Sequence, residues 1–573
     1  MRFKNSKVVL YALLILFSAG VLFPLPVFGS EALSAGTIKI GVLEEPKTLN
    51  IWSATDAWSN RVLSQIYQPL FVLDPKTLDS IPWLAEKAPE YDPTTISYTV
   101  TLRDARWSDG TPFTAEDVAF TGNLIKEFKV PKNYSLWKFV QKIDVLDQRT
   151  VRFTLSGPEA VFLSRTLFTP IVQKKQWESA AGAARKSSSP LSSLFRVKMN
   201  PIGTGPFVLK EWREGVYVYL EKNPHFFGRG EKIAGLLLGP YVDGIILRVY
   251  GTTDAAVMAI RKGDMDMFWW GIQPGYVEDL SKDPDTRIFS SEKSAMYYIG
   301  FNVRKEPFSD VAFRRAVATL IDKDFIIKRV LQGYALEMHT FVPPGNTFWH
   351  LNAVPAYDKH RSRAERIREA QKILKDAGYT WRVDPEFRKS GVVGAEGIVL
   401  PNGNPMKRLT ILTPPADYDP LRAMIGILAQ EWLRKLGIPV TARPMAFGAM
   451  IDQVKVRRDF DLFVLGFGHL SLDPDYLRSF FYSANDKPRG WNTSGYHNPQ
   501  FDRLADQSAR EMDPQKRRET ILEMQRILIH DIPFLPLYDP KLIEAVRTDH
   551  FGGWVQMLGG IGNTWSFCTI KQQ

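Results

Sequence analysis

The most regular pattern of apolar and polar positions lies between residues 96 and 110. Apolar side chains at Ile96, Tyr98, Val100 and Leu102 alternate with polar neighbours, which is the period-two pattern of a strand with one buried face. The Asp109-Gly110 pair that follows supplies turn chemistry. This segment therefore predicts a half-buried strand and a tight turn.

A helix is predicted directly after this turn. Thr114 and, three residues later, Asp117 form the pattern of an N-cap with an acidic partner. The apolar positions of the predicted helix share one face: Val118, Phe120, Leu124 and Ile125. The whole segment reads as a β-turn-α unit.

Strand and helix patterns alternate along the rest of the chain. Predicted strands lie at 37–42, 245–249 and 532–538, and predicted helices at 59–67, 254–262, 310–320, 364–377 and 514–530. Gly263 and Gly378 stand where helix C-caps are expected, and Asp513-Pro514 supplies an N-cap and a first-turn proline. The alternation predicts the α/β class.

The segment TLRDARWSDGTPFTAEDVAF, residues 101–120, resembles the signature of the family 5 solute-binding proteins. These are the oligopeptide- and dipeptide-binding receptors of ABC importers. Further matches follow in the family's order at 201–207, 223–227, 261–266, 298–302, 313–316, 460–461, 473–475 and 492–496. The resemblance covers nearly the whole chain after its N-terminal segment.

The resemblance implies a two-lobed periplasmic-binding-protein fold of the Venus-flytrap type (type II, large peptide-binding class). The first lobe would comprise residues 36–74, 201–295 and 541–573, with 75–200 as an extra subdomain on it. Residues 296–540 would form the second lobe. Two chain crossovers would join the lobes, and a ligand would be enclosed between them.

The N-terminus has the features of a secretory signal. Arg2, Lys4 and Lys7 precede an uncharged, largely apolar stretch from Val8 to Ser30, so residues 1–29 are predicted to be a cleaved signal peptide. The alternative is an uncleaved anchor, since the stretch could nearly span a bilayer core of about 30 Å. Either form places the remainder of the chain outside the cytoplasm.

The cysteine content bears on the compartment. Cys568 is the single cysteine of the 573 residues, so an intrachain disulfide and a cysteine zinc cage are excluded. The signal also ends without a cysteine to carry a lipid. We expect a soluble periplasmic protein rather than a lipoprotein.

Charge and motif content narrow the function. The formal charge is +11, but basic and acidic residues are interspersed, which argues against nucleic-acid binding. The sequence lacks the G-x-S-x-G, H-E-x-x-H and P-loop patterns, and its eight histidines are not spaced as ligand pairs. We expect a protein that is not an enzyme and that binds no cofactor or metal. The remote alternatives to this function are a secreted hydrolase and a sensory receptor.

Aromatic residues are the main candidates for ligand contact. Trp269 and Trp270 follow the strand-like segment at Asp266, and in this family the residues just after that G-x-x-D run line the cleft. The resemblance thus implies two ligand platforms. Core packing is the alternative, and we expect one ring in the core and one in the cleft.

The same resemblance carries further residues into the cleft. They come from the loop before the first helix, the start of the second lobe and the loop before the D-P-x motif: Thr55, Asp56, Trp58, Tyr297, Tyr298, Phe467, Gly468 and His469. Helix capping is the alternative for Asp56. Strand alternation requires either Tyr297 or Tyr298 to point away from the cleft.

One position departs from the peptide-binding pattern. Peptide receptors of this family carry an aspartate that pairs with the α-ammonium of the peptide, and an ungapped alignment from Gly466 to Asp473 places Leu470 there. A buried ammonium without an acceptor would cost at least ~1 to 3 kcal/mol.

The function that the resemblance implies is the substrate-binding component of an ABC importer, a monomer that delivers its ligand to a membrane permease. The ligand is a peptide or, alternatively, an oligosaccharide or other polyol-rich compound; Asp56 or Asp473 could replace the missing aspartate.

Overall fold

The structure is a computed structural model that describes residues 34, 36–352, 354, 356–357, 362–388 and 391–573. The predicted signal peptide, residues 1–29, lies outside the described residues. Within the described part of the chain, no helix is both long and apolar enough to cross a bilayer.

A mixed sheet, called sheet I here, combines strands from distant parts of the sequence. Its strands, in spatial order, are Thr286–Ser291, Leu542–Arg547, Met267–Phe268, Thr37–Val42, Gly244–Val249, Tyr217–Lys222 and Phe207–Arg213. Thr37–Val42 is parallel to both Gly244–Val249 and Met267–Phe268. Sheet I therefore has parallel strands in its centre and antiparallel strands at its edges.

A second mixed sheet, sheet II, is formed by the part of the chain that lies between two strands of sheet I, Thr286–Ser291 and Leu542–Arg547. Its strands, in spatial order, are Ala335–Glu337, Phe534–Pro540, Met296–Phe301, Leu462–Phe467, Leu409–Thr413 and Val440–Pro444. Leu409–Thr413 is parallel to Val440–Pro444 and to Leu462–Phe467. The chain passes from sheet I to sheet II through residues 292–295 and returns through Lys541.

A separate antiparallel sheet lies in the segment inserted between the strands of sheet I. Its strands, in spatial order, are Glu90–Asp92, Ser97–Thr101, Thr150–Leu155 and Val140–Asp147. Tyr98, Val100 and Leu102 are buried, as the alternation predicts. Two-stranded pairs complete the strands: Phe71–Leu73 with Ser80–Pro82, Lys232–Ile233 with Leu236–Leu237, Thr380–Val383 with Glu396–Val399, Glu386–Arg388 with Gly391–Val393, and Phe551–Gly552 with Lys571–Gln572.

The longer α-helices include those predicted from the sequence, with ends within about two residues of the predicted ones. They are Ala57–Ile66, Ala115–Phe128, Lys174–Arg185, Thr253–Lys262, Val311–Leu320, Arg363–Asp376, Pro420–Arg434, Pro499–Arg510 and Pro514–Asp531. The Asp117 carboxylate accepts the backbone N–H of Thr114 at 2.9 Å, and Gly263 ends its helix with a left-handed φ of 75°. Asp513 accepts from the N–H groups of Gln515 and Lys516.

Short helical segments occupy the loops. The α-helical ones are Tyr134–Trp137, Val161–Ser164, Pro190–Phe195, Val277–Leu280, Lys323–Phe325, Phe447–Ile451, Tyr476–Phe481 and Thr564–Thr569. Thr166–Phe168, Pro274–Tyr276 and Ser483–Asn485 are 3₁₀ turns, and Ile326–Val330 and Asp452–Arg457 are π-helical.

Apolar residues form separate cores around the two sheets. One large cluster surrounds sheet I and the inserted sheet, and a smaller one lies on sheet I beside the helix Thr253–Lys262. Two further clusters cover the two faces of sheet II. The fold thus consists of two sheet-centred units joined by paired crossing segments.

Candidate functional site

The candidate site lies around the two crossing segments. In sheet I the parallel strands Thr37–Val42 and Met267–Phe268 are followed by loops 43–56 and 269–273, and in sheet II Leu409–Thr413 and Leu462–Phe467 are followed by loops 414–419 and 468–475. Ligands in open α/β sheets bind outside the carboxyl ends of such strands. Most residues predicted for the site belong to these loops.

Three tryptophans and one arginine form a cluster on the sheet I unit. Trp58, on the first turn of the helix Ala57–Ile66, lies with its ring centroid 4.9 Å from that of Trp270. The guanidinium carbon of Arg61 is 4.7 Å from the ring centroid of Trp58, 5.0 Å from that of Trp270 and 5.4 Å from that of Trp269. We call these four residues the tryptophan–arginine cluster.

The two adjacent tryptophans have different surroundings. Trp269 is 5% exposed, packs edge-on against Phe567 and donates its indole N–H to the carbonyl oxygen of Gly562 at 3.1 Å. Trp270 is 39% exposed. Trp269 therefore packs within the sheet I unit, whereas the ring of Trp270 is open to a ligand.

Thr55 and Asp56, the two polar candidates in the loop before the first helix, have different surroundings. Both carboxylate oxygens of Asp56 accept hydrogen bonds from Ser59, one from its backbone N–H at 2.8 Å and one from its hydroxyl at 2.6 Å. Thr55 is exposed beside it. Asp56 is the N-cap of the helix, and its contact with a ligand stays a prediction.

Tyr297 and Tyr298 lie on opposite faces of sheet II, as strand geometry requires. The ring of Tyr297 stacks on that of Tyr538 at 5.0 Å and remains partly exposed. Tyr298 is buried between Phe467 and Phe534, at centroid distances of 5.3 and 4.5 Å. Burial raises the pKa of Tyr298 far above its usual range. Tyr297 is therefore the one of the pair that a ligand can reach.

The loop after Leu462–Phe467 contains the remaining predicted residues. Phe467 stacks on Phe480 at 4.3 Å, while Gly468 and His469 are exposed. Leu470 is buried in the apolar cluster of sheet II, and its backbone N–H donates to the carbonyl oxygen of Ser294 at 2.7 Å. The side chain that the ungapped alignment places at the aspartate position of peptide receptors is thus part of the core.

Charged groups that the sequence did not single out lie at the crossing segments. Asp539 is 1% exposed and accepts the backbone N–H of Ala295 at 2.9 Å, while its Oδ2 has no hydrogen-bond partner among the described residues. Burial raises its pKa to about 7. Burial lowers the pKa of Lys293, with Asp539 acting in the opposite direction and Arg61 lowering it further. Although the His469 side chain is exposed at the surface, partial desolvation of its imidazole and the charge of Lys293 lower its pKa.

A second charged group of this kind lies behind the tryptophan–arginine cluster. Glu544, in a strand of sheet I, is buried and accepts the backbone N–H of Ile561 at 2.7 Å. Burial raises its pKa to about 7, and Arg61 offsets part of that effect. Acidic residues inside the apolar runs around Asp539 and Glu544 are the sequence signal that could have identified both.

Sheet II contributes a further aromatic wall that sequence reasoning missed. Tyr418 stacks on Phe447 at 4.9 Å, and the guanidinium of Arg422 lies 5.5 Å from the Phe447 ring. Trp491 is exposed, with the ammonium of Lys455 3.5 Å from its ring centroid. Tyr418 and Trp491 each stand alone in a polar loop, so periodicity gives no signal for them.

The inserted segment contacts the sheet II unit directly. The hydroxyl of Ser164 donates to Asp473 at 2.6 Å, and the backbone N–H of Ala160 donates to the carbonyl oxygen of Ala509 at 2.9 Å. Asp473 is also paired through both oxygens with Arg517, at 2.7 Å each. A cavity of about 530 Å³ lies between the two parts, with Phe168, Phe348, Trp349 and His469 among its lining residues.

Comparisons with known proteins bear on the whole chain. The model of the bacterial extracellular solute-binding proteins, family 5 Middle, matches residues 79–489. The oligopeptide-binding protein AppA of Bacillus subtilis is 26% identical over 517 residues, 88% of this chain and 86% of that protein. The glutathione-binding protein GsiB of Shigella flexneri is 25% identical over 536 residues, 92% of this chain and 93% of that protein.

A solved structure shows the same architecture. HbpA2 from Haemophilus parasuis superposes with a TM-score of 0.74 at 20% sequence identity, covering 94% of this chain and all of that one. The fold is therefore the two-lobed periplasmic-binding-protein fold, which agrees with the two sheet-centred units. With the family model matched over most of its length, this chain belongs to the bacterial extracellular solute-binding proteins of family 5.

Proposed function

We propose that this protein captures a ligand between its two lobes outside the cytoplasm and delivers it to the permease of an ABC importer. The observation that carries the proposal is that each of the two sheet-centred units exposes aromatic rings that a ligand could contact. Trp270, which packs on the buried ring of Trp58, belongs to one sheet-centred unit, and Tyr297, Tyr418 and Trp491 belong to the other.

The lobe division follows the membership of the sheets. Sheet I draws on residues 37–42, 207–291 and 542–547, and sheet II on residues 296–540. This supports a first lobe of 36–74, 201–295 and 541–573, a subdomain of 75–200 and a second lobe of 296–540. Residues 292–295 and Lys541 would then be the hinge.

The ligand class follows from the relatives and from the site. The names of AppA and GsiB state that those proteins bind an oligopeptide and glutathione, so a peptide is our first proposal for this chain. The buried side chain of Leu470 and the exposed rings favour an oligosaccharide as the second, because aromatic faces pack on sugar rings without requiring an ammonium acceptor. In either case the protein would act as a soluble periplasmic monomer without enzymatic activity.

Two measurements test the proposal. A thermal-shift screen with short peptides and oligosaccharides should identify a stabilising compound, since a ligand at 100 times its dissociation constant adds about 2.7 kcal/mol of stability. Small-angle scattering with that compound should show a smaller radius of gyration, because closure brings the lobes together. A tight ligand that leaves the scattering curve unchanged would contradict the two-lobe mechanism.

Delivery to a permease requires a test in the cell. Deleting the chromosomal gene should abolish uptake of the compound found in the screen, and the intact gene should restore uptake. A strain that lacks the protein and still imports the compound at the parental rate would assign it to sensing rather than transport. Intact-mass measurement of the exported protein would show whether it begins near Ser30 or Glu31.

A further inference from the structure

The guanidinium of Arg61 is the unusual group of the site. Arg61 lies on the helix Ala57–Ile66, and its guanidinium carbon is within 5.4 Å of three indole ring centroids. Its Nη1 is buried and has no hydrogen-bond partner among the described residues. Aromatic faces attract a cation but accept no in-plane hydrogen bonds from it.

Other buried guanidinium groups in the chain are supplied with acceptors. Arg517 donates to both oxygens of Asp473, and Arg547 donates to both oxygens of Asp549 at 2.8 and 2.6 Å. Arg314 donates to the carbonyl oxygen of Asp531 at 2.8 Å. The fold therefore satisfies its buried arginines elsewhere, and the unsatisfied Nη1 of Arg61 is an exception that requires an explanation.

The carboxylate of Glu544 does not supply the missing hydrogen-bond acceptor for Arg61. Glu544 raises the pKa of Arg61, but desolvation is larger and leaves that pKa at about 10. One oxygen of the Glu544 carboxylate, Oε2, accepts the backbone N–H of Ile561, and neither oxygen is hydrogen-bonded to the Nη1 of Arg61. A buried donor left without an acceptor costs about 1 to 3 kcal/mol, and more when it is charged.

The side chain of Arg61 is accessible in part, although its Nη1 is buried. Arg61 itself is only partly buried, and Trp270 beside it is 39% exposed. A second cation, Lys293 on a crossing segment, is close enough that the charge of Arg61 lowers its pKa. An anion entering between the lobes would meet a planar guanidinium and an ammonium, and a guanidinium pairs with a carboxylate through two parallel hydrogen bonds.

We infer that Arg61 is the anchor for an anionic group of the ligand, a carboxylate that accepts hydrogen bonds from the guanidinium above the tryptophan rings. This inference rests on the proposed function and specifies the class of ligand. The carboxylate belongs either to a peptide or to an acidic sugar. The three indole rings hold the guanidinium in place, so that little side-chain entropy is lost when the anion binds.

The test compares carboxylates with their neutral counterparts. The first arm uses a mixture of tripeptides as free acids against the same mixture as C-terminal amides. The second arm uses oligogalacturonides against their methyl esters. Thermal shift identifies the binding set, and titration calorimetry on its members gives the affinities.

Arg61→Met removes the charge and keeps a long side chain against the indoles. Arg287→Met is the matched control, because Arg287 also lies over an aromatic ring, 4.6 Å from the centroid of Phe289, but on the exposed surface of sheet I. We expect at least one free-acid set to bind, its neutral counterpart to bind at least tenfold more weakly, and Arg61→Met to remove that preference. Arg287→Met should bind as the parent does.

The stability of the ligand-free variants shows whether Arg61 serves ligand binding or the packing of the fold. An anchor without an acceptor costs stability, so the apo melting temperature of Arg61→Met should equal or exceed that of the parent. Arg61→Lys retains the charge without the planar fork and should retain part of the preference for acids. If Arg61→Met does not fold, Arg61→Lys still tests the inference, since full parental affinity in that variant overturns the role of the fork.

The remaining outcomes distinguish this inference from the proposed function. Equal binding of acids and neutral counterparts, or an unchanged preference in Arg61→Met, overturns the anchor and leaves the solute-binding function standing. Failure of every set in both arms to bind overturns both. The arm that binds tells whether the carboxylate comes from a peptide or from a sugar.

Discussion

The backbone N–H of Ala295 donates a hydrogen bond of 2.9 Å to the carboxylate of Asp539, which lies 244 positions further along the chain. Ala295 ends the first crossing segment, and Asp539 lies just before the second one at Lys541. The bond ties the two crossings to each other. Because the carboxylate is buried, its pKa rises to about 7, so a group that changes charge near neutral pH lies at the crossing segments.

This titration predicts a pH dependence of stability. The folded protein binds the Asp539 proton more tightly than the unfolded chain does, so the group stabilises the fold below about pH 4. That contribution is lost as the pH rises toward 7. Asp539→Asn keeps an acceptor for Ala295 without the charge, so it should be more stable than the parent at pH 8 by on the order of 2 kcal/mol.

Urea unfolding at pH 5 and pH 8 measures this difference. Glu544, whose pKa is also raised to about 7 by burial, keeps its own contribution in Asp539→Asn, so part of the pH dependence should remain. Glu544→Gln is the matched variant on sheet I. Parallel pH profiles for the parent and Asp539→Asn would show that Asp539 does not titrate in this range.

The contact between Ser164 and Asp473 predicts an effect on lobe closure. Ser164 belongs to the inserted segment and Asp473 to the loop after Leu462–Phe467, so the proposed separation of the lobes would break their 2.6 Å hydrogen bond. A hydrogen bond to a charged group contributes about 1.5–3 kcal/mol. Ser164→Ala should therefore shift the ligand-free protein toward a more open form, seen as a larger radius of gyration.

Ser508→Ala is the control for this variant, because the Ser508 hydroxyl donates to the carbonyl oxygen of Ala505 within its own helix. Its scattering curve should match that of the parent. The same open shift in both variants would attribute the effect to general loosening rather than to the contact between lobes.

The ion pair between Arg517 and Asp473 predicts a large effect on stability. Both side chains are buried and share two hydrogen bonds of 2.7 Å, and Arg517 lowers the pKa of Asp473 although burial opposes this. Arg517→Met leaves the carboxylate buried without its partner, which should cost about 3–5 kcal/mol in the free energy of unfolding.

Arg526→Met is the matched control on the same helix, Pro514–Asp531. Arg526 pairs with Glu523 at 2.9 Å, but both side chains are largely exposed, and such pairs contribute about 0–1 kcal/mol. Chemical denaturation at pH 7 compares the two variants. Equal losses would mean that burial does not determine the contribution of the Arg517–Asp473 pair.

Local chemistry explains which parts of the fold were predictable from the sequence. The Thr114–Asp117 cap, the helix end at Gly263 and the cap at Asp513 depend on residues within a few positions of each other. These elements are confirmed. The alternation of buried residues at Tyr98, Val100 and Leu102 is likewise a local property of one strand.

The site depends on contacts that no local pattern encodes. Arg61 and Glu544 influence each other's pKa although they lie near opposite ends of the chain. Strand alternation predicts that Tyr297 and Tyr298 face opposite ways, but which of them is buried depends on Phe534, from a distant strand. The family resemblance predicted the loops of the candidate site. The charged groups at the crossing segments could be identified only from the structure.

The two adjacent tryptophans give the last prediction, because their surroundings differ in kind. Trp269→Ala removes a ring that is 5% exposed, packed on Phe567 and hydrogen-bonded to Gly562, so it should cost about 3–5 kcal/mol of stability. Trp270→Ala removes a ring that is 39% exposed, so the apo melting temperature should change little.

Ligand affinity should depend on Trp270, the residue whose replacement changes stability little. A ring that closes on a ligand buries up to about 150–250 Å², and half of that area at ~25 cal/mol per Å² corresponds to roughly 2–3 kcal/mol before the costs of association. Trp270→Ala should therefore weaken binding of the screened compound by tens-fold, measured by titration calorimetry. Trp270→Phe keeps an aromatic face and should recover part of the affinity. If Trp270→Ala binds as the parent does, the aromatic contact with the ligand must come from Tyr297, Tyr418 or Trp491 on the sheet II unit.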